Sequence, residues 1–319
     1  MQTFLRHPRQ CGLASLLVAV TIVSAACVTN TAMAPVSKAG KATWLARHQA
    51  MNARAQQGRV GLIYVGDSIV EGYERQGKDT WDRYYAPRNA LNLGISGDRT
   101  EHVLWRLTHG NLAGIAPTLA IVMIGQNNGG RNTADEIGAG VTAVVQTIRA
   151  QLPTTKILLL AIFPRRAKPT AERVVLAQAS GIAAQLADNH TIFYRNINQL
   201  FLRPDGSIPA ALMPDFEHPS AQGYRLWAEA IEPTVAALMG DQAMAPAAPL
   251  PSAGARRRGA NPTRAFPGHW SHHRPGSRSP PKRPASPSHS AAMAARGCSV
   301  AYSLLSSLDA RVGRARPPR

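Results

Sequence analysis

A serine, a glycine, an asparagine and a histidine are the residues of this 319-residue chain whose types and settings could do chemistry together. Ser68 follows an apolar run in Gly66-Asp67-Ser68-Ile69-Val70-Glu71-Gly72. A serine at a tight turn between a strand and a helix presents its hydroxyl at a sheet edge, and its own N–H lies where a helix start favours negative charge. Asp215 and His218 stand three residues apart in Asp215-Phe216-Glu217-His218-Pro219, a spacing that lets a carboxylate orient an imidazole as a base. Asn127, in Gly125-Gln126-Asn127-Asn128, offers an uncharged amide donor for a developing oxyanion. Gly94, in Asn92-Leu93-Gly94-Ile95-Ser96-Gly97-Asp98, lets a backbone N–H come close to a substrate. Each has an ordinary alternative: a helix cap at Asp67 or Ser68, a strand-to-helix turn at Gly94, an Asn-rich turn at Asn127, and capping at Asp215 or Ser220.

The elements that must position these groups are legible as an alternation. Continuous apolar runs at Val60–Val65, Ala90–Leu93, Leu119–Ile124, Lys156–Ala161 and Thr191–Tyr194 read as strands buried on both faces. Between and around them lie helical patterns, the first with Trp44, Leu45, His48 and Met51 on one face and ended by Gly58, then Thr100–His109, Ala134–Leu152, Thr170–Ala187 and Ser220–Met239. Strands regularly separated by helices imply a parallel sheet in an α/β three-layer domain. Functional groups in such sheets gather at the carboxyl ends of the strands, and the candidate segments fall at strand ends or, for Asp215 and His218, in the loop before the final helix, all on one expected rim.

Taken together the four segments resemble the SGNH, or GDSL-type, hydrolase family, whose blocks centre on Ser, Gly, Asn and His in this order. The blocks here are GDSIVEG, NLGISGDRT, IGQNN and DFEHP, and the resemblance covers about residues 42–240. NLGISGDRTEHVLWRL and HPSAQGYRLWAEAIEP are similar to the branch related to platelet-activating-factor acetylhydrolase subunits. The resemblance implies a flavodoxin-like fold with a five-stranded parallel sheet and a serine esterase acting on short-chain, acetyl-type carboxylic esters through an acyl-enzyme. It implies Ser68 as nucleophile, His218 as base and then acid, and Asp215 as the residue orienting His218. The oxyanion donors would be the N–H groups of Ser68 and Gly94 with the amide of Asn127, and no cofactor or metal takes part. The third block usually reads Gly-x-Asn-Asp, and Asn128 departs from it. The competing readings are a non-catalytic ligand-binding protein of the same fold and a lysophospholipase- or thioesterase-type hydrolase.

Composition bounds what else the chain does. Its formal charge of +18 is concentrated outside the alternating region, since residues 41–240 carry 20 basic and 16 acidic side chains. Residues 241–319, with 13 Lys and Arg and 12 Pro, read as a disordered basic tail. In its basic stretch only Phe266 and Trp270 could stack on bases, and no nucleic-acid partner is expected for the core. Cys11, Cys27 and Cys298 lie outside 41–240, which excludes a disulfide or catalytic thiol within it. Residues 1–40 read as a signal peptide and linker: Arg6 and Arg9 precede the apolar run Leu13–Val23 and the small residues Ser24-Ala25-Ala26, too short to span a bilayer. Export to the periplasm or medium is expected, and membrane attachment only if Cys27 is lipidated. The substrate partner is a small-molecule, glycan or lipid ester, and oligomeric state is left open. His48, His102, His109 and His190 lack ligand spacing and read as surface or packing residues. Glu71, Arg99 and Glu101 are candidates either for lining the pocket or for surface ion pairs.

Overall fold

A computed structural model describes residues 30–246. The expected signal peptide, Cys27 and nearly all of the basic tail lie outside the described residues. Helix α1 (Ala42–Gln56) leads into strand β1 (Leu62–Gly66), the short helices α2 (Ser68–Glu71) and α3 (Lys78–Tyr84), and β2 (Ala90–Gly94). The chain continues through α4 (Thr100–Arg106), β3 (Leu119–Met123), α5 (Ala134–Gln151), β4 (Lys156–Leu160), α6 (Ala171–Ala184), β5 (Ile192–Arg195) and α7 (Ala221–Met239). All five strands are parallel, in the order β2-β1-β3-β4-β5.

The register places Gly66 beside both Gly94 and Met123, so three strands end level and their following loops share one rim. Alternation along the strands sends side chains to two different cores. Ile63, Val65, Leu93, Val122 and Leu159 face an aliphatic layer completed by α1, α4, α5 and α6. Leu62, Tyr64, Ile121 and Leu158 face a layer dominated by aromatic rings, among them Tyr73, Tyr85 and Trp227. Tyr64 and Tyr73 both pack on Trp227, with ring centroids 5.5 and 5.0 Å apart.

Three sequence expectations are corrected. β5, at one edge of the sheet, is only half-buried rather than covered on both faces, whereas β2 at the other edge is buried. α4 stops at Arg106 and gives way to a wider turn through Asn111, where Gly110 takes φ +108° to make room for the Asn52 side chain. The packed unit also extends beyond 41–240 at both ends. Ala32 is buried and its carbonyl accepts from Thr100 Oγ1 at 2.7 Å, while Asn30 donates to the Glu136 carbonyl at 3.2 Å. At the other end the Asp241 carboxylate accepts from Arg88 at 2.8 and 3.0 Å, and Met244 N–H donates to Glu232. These short segments are held by long-range polar partners and so carry no periodicity from which a boundary could be read.

Candidate active site

The turn after β1 is built for close approach. A Cβ at Gly66 would lie 2.3 Å from Val70 Cγ2 and 2.6 Å from the Met123 carbonyl, so only glycine lets β1 turn there. Asp67 then caps α2, its Oδ1 accepting from Ile69 N–H at 3.0 Å, and Ser68 becomes the first helical residue. The Tyr224 hydroxyl donates to the Ile69 carbonyl at 2.7 Å and ties this turn to α7.

Ser68 Oγ lies 2.8 Å from His218 Nε2, and His218 Nδ1 lies 2.7 Å from Asp215 Oδ2. The other oxygen of Asp215 accepts from the backbone N–H groups of His218 and Glu217 at 2.7 and 3.1 Å. Partial burial works against ionisation of Asp215, but the bonds from His218 N–H and the His218 ring outweigh it and hold the carboxyl below the usual range. Phe216, in the left-handed region at φ +59°, makes the sharp bend that lets one carboxylate reach both the ring and the backbone. Sequence spacing thus brought together the serine, histidine and aspartate that it singled out.

The glycine assignment is corrected. Gly94 N–H is occupied, donating to Asn92 Oδ1 at 2.8 Å. Its requirement for glycine comes from packing: a Cβ would meet Glu71 N at 2.3 Å and Asp67 O at 2.7 Å. Three residues on, Gly97 lines the same cleft as Ser68, Asn127 and His218. It has φ +72°, and among the described residues nothing accepts from its N–H. The Ser96-Gly97 turn is fixed by Glu71, whose Oε2 accepts from both Ser96 N–H and Ser96 Oγ at 2.6 Å. Glu71 therefore shapes the rim, whereas Arg99 and Glu101 pair with each other.

Asn127 Nδ2 donates to the Asp98 carbonyl at 2.9 Å and makes a longer contact of 3.3 Å to Asp67 Oδ2. The departure at Asn128 has a local cause. Its Oδ1 accepts from Thr100 N–H at 3.0 Å while its Nδ2 donates to Glu101 Oε2 at 3.1 Å, so an aspartate here would set two carboxylates against each other.

Beneath this rim lies a polar cluster that sequence reasoning missed. Asp98 accepts from Arg106 Nε at 2.8 Å, Trp44 Nε1 at 2.8 Å and Lys38 Nζ at 3.2 Å, and both members of the Asp98–Arg106 pair are fully buried. Arg106 also donates to the Leu93 and Gly66 carbonyls at 3.0 and 3.3 Å, at the ends of the two strands that carry the rim loops. Burial pushes the Asp67 carboxyl up to about 7, helped by the nearby Asp98 charge. Burial likewise pushes His102 down to about 4. No pattern in the sequence distinguished Arg106 from a solvent-facing arginine of α4.

The GDSL-like lipase/acylhydrolase family model matches residues 64–226, and the chain belongs to that family. It is 34% identical over 186 residues to platelet-activating factor acetylhydrolase IB subunit alpha2 of Rattus norvegicus, a match covering 58% of this chain and 80% of that one. With subunit alpha1 of Homo sapiens it shares 32% identity over 186 residues, covering 58% and 79%. Among solved structures it is similar to an acetyl xylan esterase, with a TM-score of 0.47 and 21% identity over 55% of this chain and 98% of that one.

Proposed function

We propose that the protein is a serine esterase that removes short, acetyl-type acyl groups from a polar alcohol. The observation that carries this reading is the continuous chain from Ser68 Oγ through His218 to Asp215, with links of 2.8 and 2.7 Å. Ser68 Oγ attacks the ester carbonyl as His218 Nε2 takes its proton, and Asp215 holds the ring in the tautomer with Nδ1 protonated. Negative charge develops on the carbonyl oxygen, with the N–H groups of Ser68 and Gly97 and the Asn127 amide as its donors. The longer Asn127 contact, to Asp67, is the one this oxygen would displace. His218 returns the proton to the departing alcohol, and a water activated by the same ring releases the acid.

The acyl preference follows from the cleft's chemistry. Its volume is about 450 Å³, and no Val, Leu, Ile, Met or Phe is among the described residues that line it. A long acyl chain would leave methylenes in water, forgoing about 0.8 kcal/mol for each that could be buried. Arg75 and Gln76 on the same wall suit a hydroxyl-rich alcohol such as a sugar. The test is hydrolysis of p-nitrophenyl esters of increasing chain length by wild-type protein and Ser68→Ala. Acetate is expected to be the best acyl group, and Ser68→Ala to be inactive. A folded Ser68→Ala that retains near-normal turnover overturns the mechanism, and a preference for long chains overturns the substrate class.

A further inference from the structure

The loop that carries His218 is fastened from outside by groups with no part in the ester chemistry. Asp215 fixes the imidazole relative to its own backbone, but Ser68 stands at the start of α2, just after β1 and 150 residues away in sequence. Keeping Nε2 within 2.8 Å of Oγ therefore requires the loop itself to be tied to the sheet. Its base is held by Ser220, whose N–H donates to the Leu212 carbonyl and whose Oγ donates to that of Ala211. Its tip is held by the segment leaving β4.

There Arg166 N–H donates to the Phe216 carbonyl at 2.8 Å, and Arg165 Nη2 donates to Glu217 Oε2 at 2.9 Å. The same guanidinium reaches Glu172 of α6 at 3.2 Å and the Gln126 carbonyl at 3.4 Å, through Nη1. Arg165 thus touches the residue before His218 and the residue before Asn127. Its own backbone is held in turn, because Arg173 donates to the Arg165 carbonyl through Nε at 3.1 Å and Nη2 at 2.9 Å. The Arg165 side chain is only 13% exposed, and its Nε is buried without an acceptor among the described residues. Leaving such a donor unpaired is costly, so the guanidinium sits where its Nη groups are needed and not where all its donors are best satisfied.

We propose that Arg165 is a positioning residue: through Glu217 it holds His218 in reach of Ser68, and through the Gln126 carbonyl it ties the same restraint to Asn127. This rests on the reading of Ser68 and His218 as the reacting pair. A planar, multidentate guanidinium suits the task, whereas a lysine could satisfy one of these oxygens at a time.

The test compares Arg165→Met, Glu217→Ala, Glu217→Gln and the Arg165→Met/Glu217→Ala double variant in steady-state ester hydrolysis. Active sites are counted by titration with a fluorophosphonate, so that unfolded protein does not enter kcat. Misplacing a reacting group by about an ångström costs on the order of 10²-fold. Arg165→Met and Glu217→Ala are each expected to lower kcat roughly 10- to 100-fold with KM within about twofold of wild type. The double variant should be no worse than the poorer single one, and Glu217→Gln, which keeps an acceptor oxygen, should recover most of the rate. Should Arg165→Met fail to fold, the Glu217 pair alone decides, since that side chain lies at the loop surface. The proposal is overturned if kcat per active site is unchanged, if KM rises alone, if the two losses multiply, or if Gln is as poor as Ala at 217. An inactive wild type, or an active Ser68→Ala, would sink the esterase reading instead.

Discussion

The site has two halves built on opposite plans. The arm carrying Asp215 and His218 is local and open: the two residues are three apart, and their side chains are 58% and 40% exposed. The floor beneath Gly97 and Asn127 is long-range and closed. There Asp98 and Arg106 are fully buried and join Trp44, Leu93 and Gly66 from three other elements. The arm must pass a proton from Ser68 to the departing alcohol, which suits an open setting. The floor must present fixed dipoles, which demands burial and strain-free satisfaction of every polar group. Perturbing the arm should therefore cost rate with little stability, and perturbing the floor should cost both.

The largest effect belongs to the reacting pair. Ser68→Ala and His218→Ala are each expected to lower kcat by roughly 10⁴-fold or more, with the double variant little worse, because the two act as one unit. Thermal unfolding of these variants should stay close to wild type, as neither side chain is buried in a core. A large loss of stability in His218→Ala would break the contrast between the halves.

Arg106→Met should do the reverse. Removing Arg106 leaves buried Asp98 with Lys38 as its remaining cationic partner, and breaking a buried ion pair costs about 3–5 kcal/mol, read as a shift in the urea midpoint. Activity should fall as well, since Asp98 carries both the turn after Gly97 and the carbonyl that orients Asn127. Wild-type stability in this variant would mean that the floor is not held by the pair.

Asn127→Ala should lower kcat by about 10²- to 10³-fold through loss of one oxyanion donor. Gly97→Ala should impair turnover by straining a residue at φ +72°, while in Gly94→Ala the damage should be seen as destabilisation from the clash with Glu71 and Asp67. Equal catalytic and stability profiles for the two glycine variants would refute the reassignment of the donor from Gly94 to Gly97.

The smallest effect is a change in how stability depends on pH. His102 is held neutral with its pKa near 4, below its unfolded value of about 6.5, so its contribution is full above about 6.5 and is lost as pH falls toward 4. Asp67 titrates near 7, above its unfolded value of about 3.9, so as pH falls from 7 toward 4 the folded state gains a proton first and is stabilised. The two buried groups oppose each other across the same window. His102→Gln should tilt the stability profile toward greater stability at pH 5 relative to pH 7, and Asp67→Asn should tilt it the other way, as measured by urea unfolding at each pH. Parallel profiles in the two variants would show that these groups do not titrate as their burial requires.

Legibility in the sequence followed the same division as the site. The strands and long helices were readable because burial on a regular element imposes a period, which is why β1 to β4 and α5 to α7 fall close to where apolar spacing placed them. The helices α2 and α3 were not given bounds from the apolar spacing, α2 because four residues are too few to display a period. In the arm, Asp215 and His218 were legible because a carboxylate three residues from an imidazole can reach it without help from the rest of the fold.

Which glycine offers a free N–H was another matter. Gly94 and Gly97 sit in one motif, and only the position of Asn92, Glu71 and Asp67 in space decides that the first is spent on packing and the second is open to the cleft. Arg106 and Arg165 were likewise indistinguishable from surface arginines until their partners arrived from other strands and helices. The sequence by itself determined the order of elements, which depends on local periodicity, and singled out Ser68, Asp215 and His218 as candidates through short motifs and their resemblance to a family. Only the tertiary structure decided which N–H groups and buried charges complete the site, because a donor's availability depends on every group that could claim it, and those claimants are distant in sequence.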